Sequence, residues 1–356
     1  MKRILLAILL VSALAAVAAA QRQPFGRIPW QGRPGTGVNG PLHHGLQPNF
    51  ITSFLLDDAT YEFVESLALD SHGNMYVTAS HIAGDWSSSY DAHVIKVTQH
   101  GTKQVIATFS TSDPYGFFFL TGLTFDEAGH LYVCVVSWAS DLPMGVYRVD
   151  LGGKPTLVLP LPETSFPNGI TFYRGDMYVT DSTYSGSCGA IWKYGKHDGS
   201  APAAPWYFDC DVSAPGTAGL GPNGIVFDGA VAYVAIYSTS DGGGRVLRLP
   251  VRHDGSPGQP SVLVEDPALF EIDGFTLDEA GNLWVVMNTD AIGVITPKGK
   301  LSILAESPGW LAYPTQVAFG TTAGTRKTLF LTNGGEFDND IAGNILSLKV
   351  GVSGHP

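Results

Sequence analysis

Four oxygen-bearing side chains occupy one slot of a recurring pattern: Glu65, Asn168, Asn223 and Asp273. Each opens a six-residue unit that reads small or polar residue, usually Gly, apolar, any residue, apolar, often Asp. The six copies are Glu65-Ser66-Leu67-Ala68-Leu69-Asp70, Thr121-Gly122-Leu123-Thr124-Phe125-Asp126, Asn168-Gly169-Ile170-Thr171-Phe172-Tyr173, Asn223-Gly224-Ile225-Val226-Phe227-Asp228, Asp273-Gly274-Phe275-Thr276-Leu277-Asp278 and Thr315-Gln316-Val317-Ala318-Phe319-Gly320. Two carboxylates and two amide carbonyls suit a hard divalent cation. Ca²⁺ fits first, then Mg²⁺, with Mn²⁺ or Zn²⁺ able to enter by availability. Asn-Gly and Asp-Gly are also turn dipeptides, so local turn chemistry is a second explanation. Against it, Glu65 precedes Ser and Glu is not a turn former.

Residues so far apart in the chain meet only if the fold brings them together. The copies begin at 65, 121, 168, 223, 273 and 315, in steps of 56, 47, 55, 50 and 42 residues. Such a period is the signature of a propeller. After each unit comes a turn and then an apolar strand with one aromatic slot: Tyr76, Tyr132, Tyr178, Tyr233, Trp284, Phe330. These rings are expected to pack between blades. Further strand segments follow, and no convincing amphipathic helix appears. The expectation is an all-β, six-bladed β-propeller with four antiparallel strands per blade over residues 49–350, a single domain. An N-terminal strand near 50–56 is expected to close the last blade near 343–350, which removes an exposed sheet edge. Residues 351–356 form a C-terminal tail.

Composition narrows the class. Charged residues make up 15% of the chain, Gly numbers 43 and the net charge is −12. Such an acidic chain lacks the basic footprint that nucleic acid requires. Residues 1–20 read as a secretory signal peptide: Lys2 and Arg3, then an apolar run, then Ala18-Ala19-Ala20. The mature protein is expected to be secreted or periplasmic, off the membrane once the signal is cleaved, and monomeric. Residues 21–48, rich in Pro and Gly, read as an arm. Gly35 to Gly40 spells G-x-G-x-x-G but lacks the strand before and helix after that a dinucleotide site needs, and His43-His44 read as solvated loop. Export permits disulfides. Cys188 and Cys210 fall in the third repeat as a candidate pair, whereas Cys134 lies in an apolar run as a buried thiol.

The first strand of each blade lines a propeller's channel, so the four slot residues are expected at one mouth. Thr121 and Thr315 fill the remaining slots there and leave room for water or substrate. These residues carry a resemblance. The chain, over about residues 50–350, resembles the gluconolactonase and regucalcin (senescence marker protein) family of six-bladed propellers. Glu65, Asn168, Asn223 and Asp273 match that family's cation ligands in identity, order and blade. Two departures are Ser66, where Gly is usual, and Gly169, where an acidic residue often stands and could contact substrate.

The resemblance implies a cation-dependent hydrolase that opens a lactone or cyclic ester with an activated water. Asp273 is then the first candidate for general base and Asp181 the second. Substrate contacts are expected from Thr121, Tyr115, Trp138, Asn288, Asn333 and His81, with Tyr115, Trp138 and Phe117-Phe118-Phe119 as an apolar wall. Two other roles share the architecture: a non-hydrolytic, strictosidine synthase-like enzyme that condenses or cyclises a natural product, and a ligand-binding propeller with a structural ion.

Overall fold

The computed structural model describes residues 46–57, 59–150, 154–183, 188–195, 204–210, 216 and 218–355. The expected signal peptide, nearly all of the arm, Gly35 to Gly40 and His43-His44 lie outside these residues.

Six four-stranded antiparallel sheets form the six blades. Their innermost strands are Thr60–Leu69, Phe118–Phe125, Pro167–Tyr173, Pro222–Asp228, Ile272–Leu277 and Pro314–Phe319. Each is followed outward by the next strands in sequence. The sixth blade takes its outer strand from the other end of the chain: Pro48–Ser53 pairs antiparallel with Asn344–Lys349. The ring closes as expected, although the closing strand starts one residue inside the segment assigned to the arm. Residues past 350 also pack down, with the N–H of His355 donating to the carbonyl of Leu277 at 2.9 Å.

The recurrent aromatic of each second strand packs against the inner strand of the next blade. Tyr76 meets Phe125 at 5.0 Å, Tyr178 meets Phe227 at 4.9 Å and Trp284 meets Phe319 at 5.9 Å between ring centroids. Burying a ring of this size contributes about 2–3 kcal/mol, and the same contact recurs around the ring. Blade three has the shortest outer strand, Tyr207–Phe208. There Cys188 and Cys210 are joined in a disulfide, with Cα atoms 5.0 Å apart. Cys134 is a buried free thiol.

Every inner strand carries a register break at the same place. The ladder skips between Val64 and Leu67, Leu120 and Leu123, Pro167 and Ile170, Pro222 and Ile225, Ile272 and Phe275, and Pro314 and Gln316. The skipped residues include all six leading slots. A bulge bends its strand and re-aims the side chain it carries, here at the channel mouth.

Candidate active site at the channel mouth

The Gly after each leading residue answers the turn explanation. Gly122, Gly169, Gly224 and Gly274 do not have positive φ, so no turn conformation demands them. A neighbouring blade does. A Cβ on Gly122 would lie 2.2 Å from the carbonyl oxygen of Asn168, one on Gly169 2.4 Å from that of Asn223, and one on Gly224 2.6 Å from that of Asp273. Each glycine thus admits the backbone of the next blade's slot residue. In blade one, Ser66 takes this place, and its hydroxyl accepts from the N–H of Leu123 at 3.2 Å.

Second-strand hydroxyls stitch the same ring. Thr78 donates to the carbonyl of Thr121 at 3.0 Å, Thr180 to that of Asn223 at 2.6 Å and Ser182 to that of Pro222 at 2.6 Å. Thr121 and Thr315 belong to this stitching. Their hydroxyls donate to the carbonyls of Pro167 at 2.7 Å and Val64 at 2.9 Å. Thr121 is fully buried, so the structure does not give it the substrate contact expected of it.

Glu65, Asn168, Asn223 and Asp273 line one cavity of about 40 Å³, together with Asn288. The sequence reading brought these five to one face, and the structure does so. That space has room for a cation or a few waters but not for a larger organic molecule. Asn288 donates through Nδ2 to Asp273 Oδ2 and to the carbonyl of Pro314, both at 2.9 Å. Asn168 donates through Nδ2 to Ser182 Oγ at 3.3 Å, which turns its amide oxygen away from that contact.

Burial pushes the Glu65 carboxyl well above its ordinary range, and the charge of Asp273 adds to this. Burial raises Asp273 to about 7, with hydrogen bonds from Asn288 and Asn223 working against the shift and the charge of Glu271 working with it. Two desolvated carboxylates beside each other are what a divalent cation would offset. The donor set therefore fits such an ion, with Glu65 and Asp273 supplying charge and the two amides neutral oxygens. Among the described residues no three His, Cys, Asp or Glu side chains cluster as metal ligands, so the amides are needed to complete any shell.

Above the floor stands an aromatic belt. Tyr313 meets Phe63 at 5.7 Å, Phe63 meets Trp86 at 5.0 Å, Trp86 meets Phe119 at 6.1 Å and Phe119 meets Phe166 at 5.5 Å. An apolar wall was expected, but its members differ. Of the expected residues only Phe119 lines the cavity. Tyr115 is 91% exposed, and Trp138 packs behind, against Phe117 at 6.1 Å. Phe118 alternates to the opposite face of its strand, into the core between blades one and two.

Three more expected residues have their polar atoms committed elsewhere. Asp181 is fully buried. It accepts from the N–H of Phe166 at 2.7 Å, from Trp192 Nε1 at 2.9 Å and from the N–H of Thr183 at 3.3 Å. Such a carboxylate locks a loop and is not poised to take a proton from substrate. Asn333 donates to the carbonyl of Trp310 and to Asn344 Oδ1, both at 3.0 Å, and accepts from the N–H of Ala312 at 3.2 Å. His81 sits between Asp91 Oδ1 at 3.2 Å and Thr60 Oγ1 at 2.9 Å.

Phe63, Phe166, Tyr237 and Tyr313 line the cavity without having been expected there, and they follow a rule the sequence contains. Two positions before the leading slots stand Phe63, Phe119, Phe166, Gly221, Glu271 and Tyr313. Period-two alternation places this row beside the slots, and four of the six line the cavity. Four positions after the recurrent aromatics of blades three, four and five stand Ser182, Tyr237 and Asn288, which identifies Tyr237. A larger cleft of about 210 Å³, among Asp126, Tyr132, Arg148 and Phe172, opens at the other end of blades two and three, and no slot residue lines it.

Comparisons with known proteins bear on the fold. Residues 220–335 match the family model described as the SMP-30/Gluconolactonase/LRE-like region. No curated protein matches the chain in sequence. Among solved structures, a protein of unknown function from Dyadobacter fermentans superposes with a TM-score of 0.57 at 12% identity, covering 86% of this chain and 100% of the other. A candidate oxidoreductase (glucose dehydrogenase) from Thermus thermophilus superposes with a TM-score of 0.55 at 15% identity, covering 85% and 100%. At such identities these two speak for the fold alone. The chain is thus a six-bladed β-propeller in which residues 220–335, the stretch that supplies Asn223, Asp273 and Asn288 to the mouth, are similar to the SMP-30/Gluconolactonase/LRE-like region.

Proposed function

We propose that the protein is an exported, divalent-cation-dependent hydrolase that opens a lactone or similar cyclic ester at the channel mouth. The observation that carries this reading is the shared cavity of Glu65, Asn168, Asn223 and Asp273, each on a bulge of a different blade. The match to an SMP-30/gluconolactonase/LRE-like region supports the reaction class. A bound cation, Ca²⁺ for preference, would polarise the ester carbonyl and acidify a water.

The chain's own residues do the rest. Asp273, a carboxylate on the floor of the cavity, would accept the proton of that water as general base. Asn288 holds its Oδ2 and so fixes the plane of the carboxylate. The aromatic belt keeps bulk water from the floor, which strengthens every charge interaction below it. The belt also suits a substrate with an apolar body, an observation that favours the second reading, a non-hydrolytic synthase.

The test is a pH-stat assay on sugar and aliphatic lactones, before and after chelation, with Ca²⁺, Mg²⁺, Mn²⁺ and Zn²⁺ added back. Activity lost on chelation and restored by one of these ions supports the hydrolase. A folded, cation-loaded protein that opens no lactone transfers the proposal to the synthase.

A further inference from the structure

The floor of the cavity is rich in acceptors and short of donors. Its carboxylates only accept when ionised. Asn168 commits an amide proton to Ser182, and Asn288 commits both of its protons to Asp273 and Pro314. Asn223 is bonded to Asp273. An ester carbonyl entering from above therefore finds few protons offered by these side chains.

The wall on the side of blades four and six supplies them. The hydroxyls of Tyr237 and Tyr313 lie 3.3 Å apart, and both residues line the cavity. Two hydroxyls in series use one proton between themselves and keep the other for a third group. We propose that this tyrosine pair donates the hydrogen bond that receives the carbonyl oxygen of the substrate, a role that rests on the ester or lactone reading above.

Both residues are pinned by their backbones. The N–H of Tyr237 donates to the carbonyl of Gly221 and its carbonyl accepts from the N–H of Glu271, each at 2.8 Å. The N–H of Tyr313 donates to Asp290 Oδ1 and its carbonyl accepts from the N–H of Gly334, each at 2.8 Å. Glu271, Asp290 and Tyr313 all hold left-handed backbone, with φ of 59°, 61° and 56°. Such conformations are uncommon outside glycine and cluster where a structure holds groups in place for use. Burial pushes both phenols well above their ordinary range, and nearby acidic groups add to it. The protons stay on oxygen, and the pair donates without ionising.

The experiment compares the Ca²⁺-loaded wild type with Tyr237→Phe, Tyr313→Phe and the double variant. It measures δ-valerolactone opening, calorimetric binding of the inert analogue δ-valerolactam, and Ca²⁺ affinity. The variant that removes the terminal donor is expected to lose about tenfold in kcat/KM and in lactam affinity, the worth of one hydrogen bond to a carbonyl. The double variant should be no worse than the more damaging single, because the hydroxyls act in series. Ca²⁺ affinity should stay unchanged. Variants within twofold of a working wild type in both readouts overturn the pair's role and leave the hydrolase standing. A wild type that opens no lactone but binds lactam in a tyrosine-dependent way overturns the hydrolase and keeps the pair. A wild type that does neither overturns both.

Discussion

The two ends of the inner strands carry the same residue type in opposite circumstances. At the hairpin end, three of the four aspartates that close the repeat, Asp70, Asp126 and Asp278, are saturated with donors. Asp278 accepts from the N–H groups of Ala280 and Asn282, both at 2.9 Å, from Asn282 Nδ2 at 2.8 Å and from Trp284 Nε1 at 3.0 Å. Asp70 and Asp126 repeat the arrangement. Burial works against their ionised forms, yet hydrogen bonds outweigh it and hold both carboxyls below the usual range. At the mouth, five residues earlier on the same strand, Asp273 meets donors only from Asn288 and Asn223, and burial wins. A saturated carboxylate builds structure, whereas an underfed one is a candidate for binding a ligand.

The largest expected effect is on pH response without cation. The carboxyls of Glu65 and Asp273 are raised in the folded state. Their contribution to stability is therefore full below the unfolded value near 4 and lost as pH rises, for Asp273 through about 7. The loss is on the order of a few kcal/mol. Asp70 and Asp126 are lowered and act in the reverse sense, losing their contribution as pH falls below about 4. Urea midpoints taken from pH 4 to 8 in chelator should fall across that range, and Ca²⁺ should flatten the slope. A cation-free midpoint that rises with pH would erase the contrast between the two ends.

Next in size is Asp273→Ala, expected to weaken cation binding by at least about 100-fold, beyond the usual cost of losing a supporting partner. Calorimetry on this variant and on Asp278→Ala sharpens the comparison, since the latter should bind the ion as wild type does. Asp278→Ala should instead lose about 2 kcal/mol of stability, because the turn amides and Trp284 Nε1 lose their acceptor. Equal cation affinities in the two variants would contradict the division of labour. The smallest effect is expected from Gly169→Ala, about 1–2 kcal/mol, since the added methyl must displace the carbonyl of Asn223. If cation affinity in that variant stays at the wild-type level, the glycine does not set the position of the ligand.

The repeat made the architecture and the floor of the site legible. Six copies of one unit fixed the blade count and the inner strands, and the oxygen side chains at their heads pointed to the mouth. The walls were less legible, because hydrogen-bond commitments do not show in a residue's type. Asp181 and Asn288 both look like loop-end polar residues, but Trp192 and Phe166 consume the first while the second faces Asp273. Tyr115 looked like pocket and is solvent. Glu271 and Tyr313 gave no sign of left-handed backbone, since neither is Gly or Asn. Phe63 and Phe166 could have been read by carrying the alternation two residues upstream.

The glycines of the ring separate measurement from chemistry. At Gly169, Gly224 and Gly274 the spacing between neighbouring heads follows from backbone meeting backbone where a methyl group is missing, and not from the side chains of Asn168, Asn223 and Asp273. A single substitution at a head can then alter what the mouth holds without changing the distances around it. Thr121 and Thr315 occupy such heads with side chains that bond to the ring itself. A lineage built on this frame could trade ligands one at a time, gaining or abandoning an ion in single steps, while the propeller that presents them stays the same size.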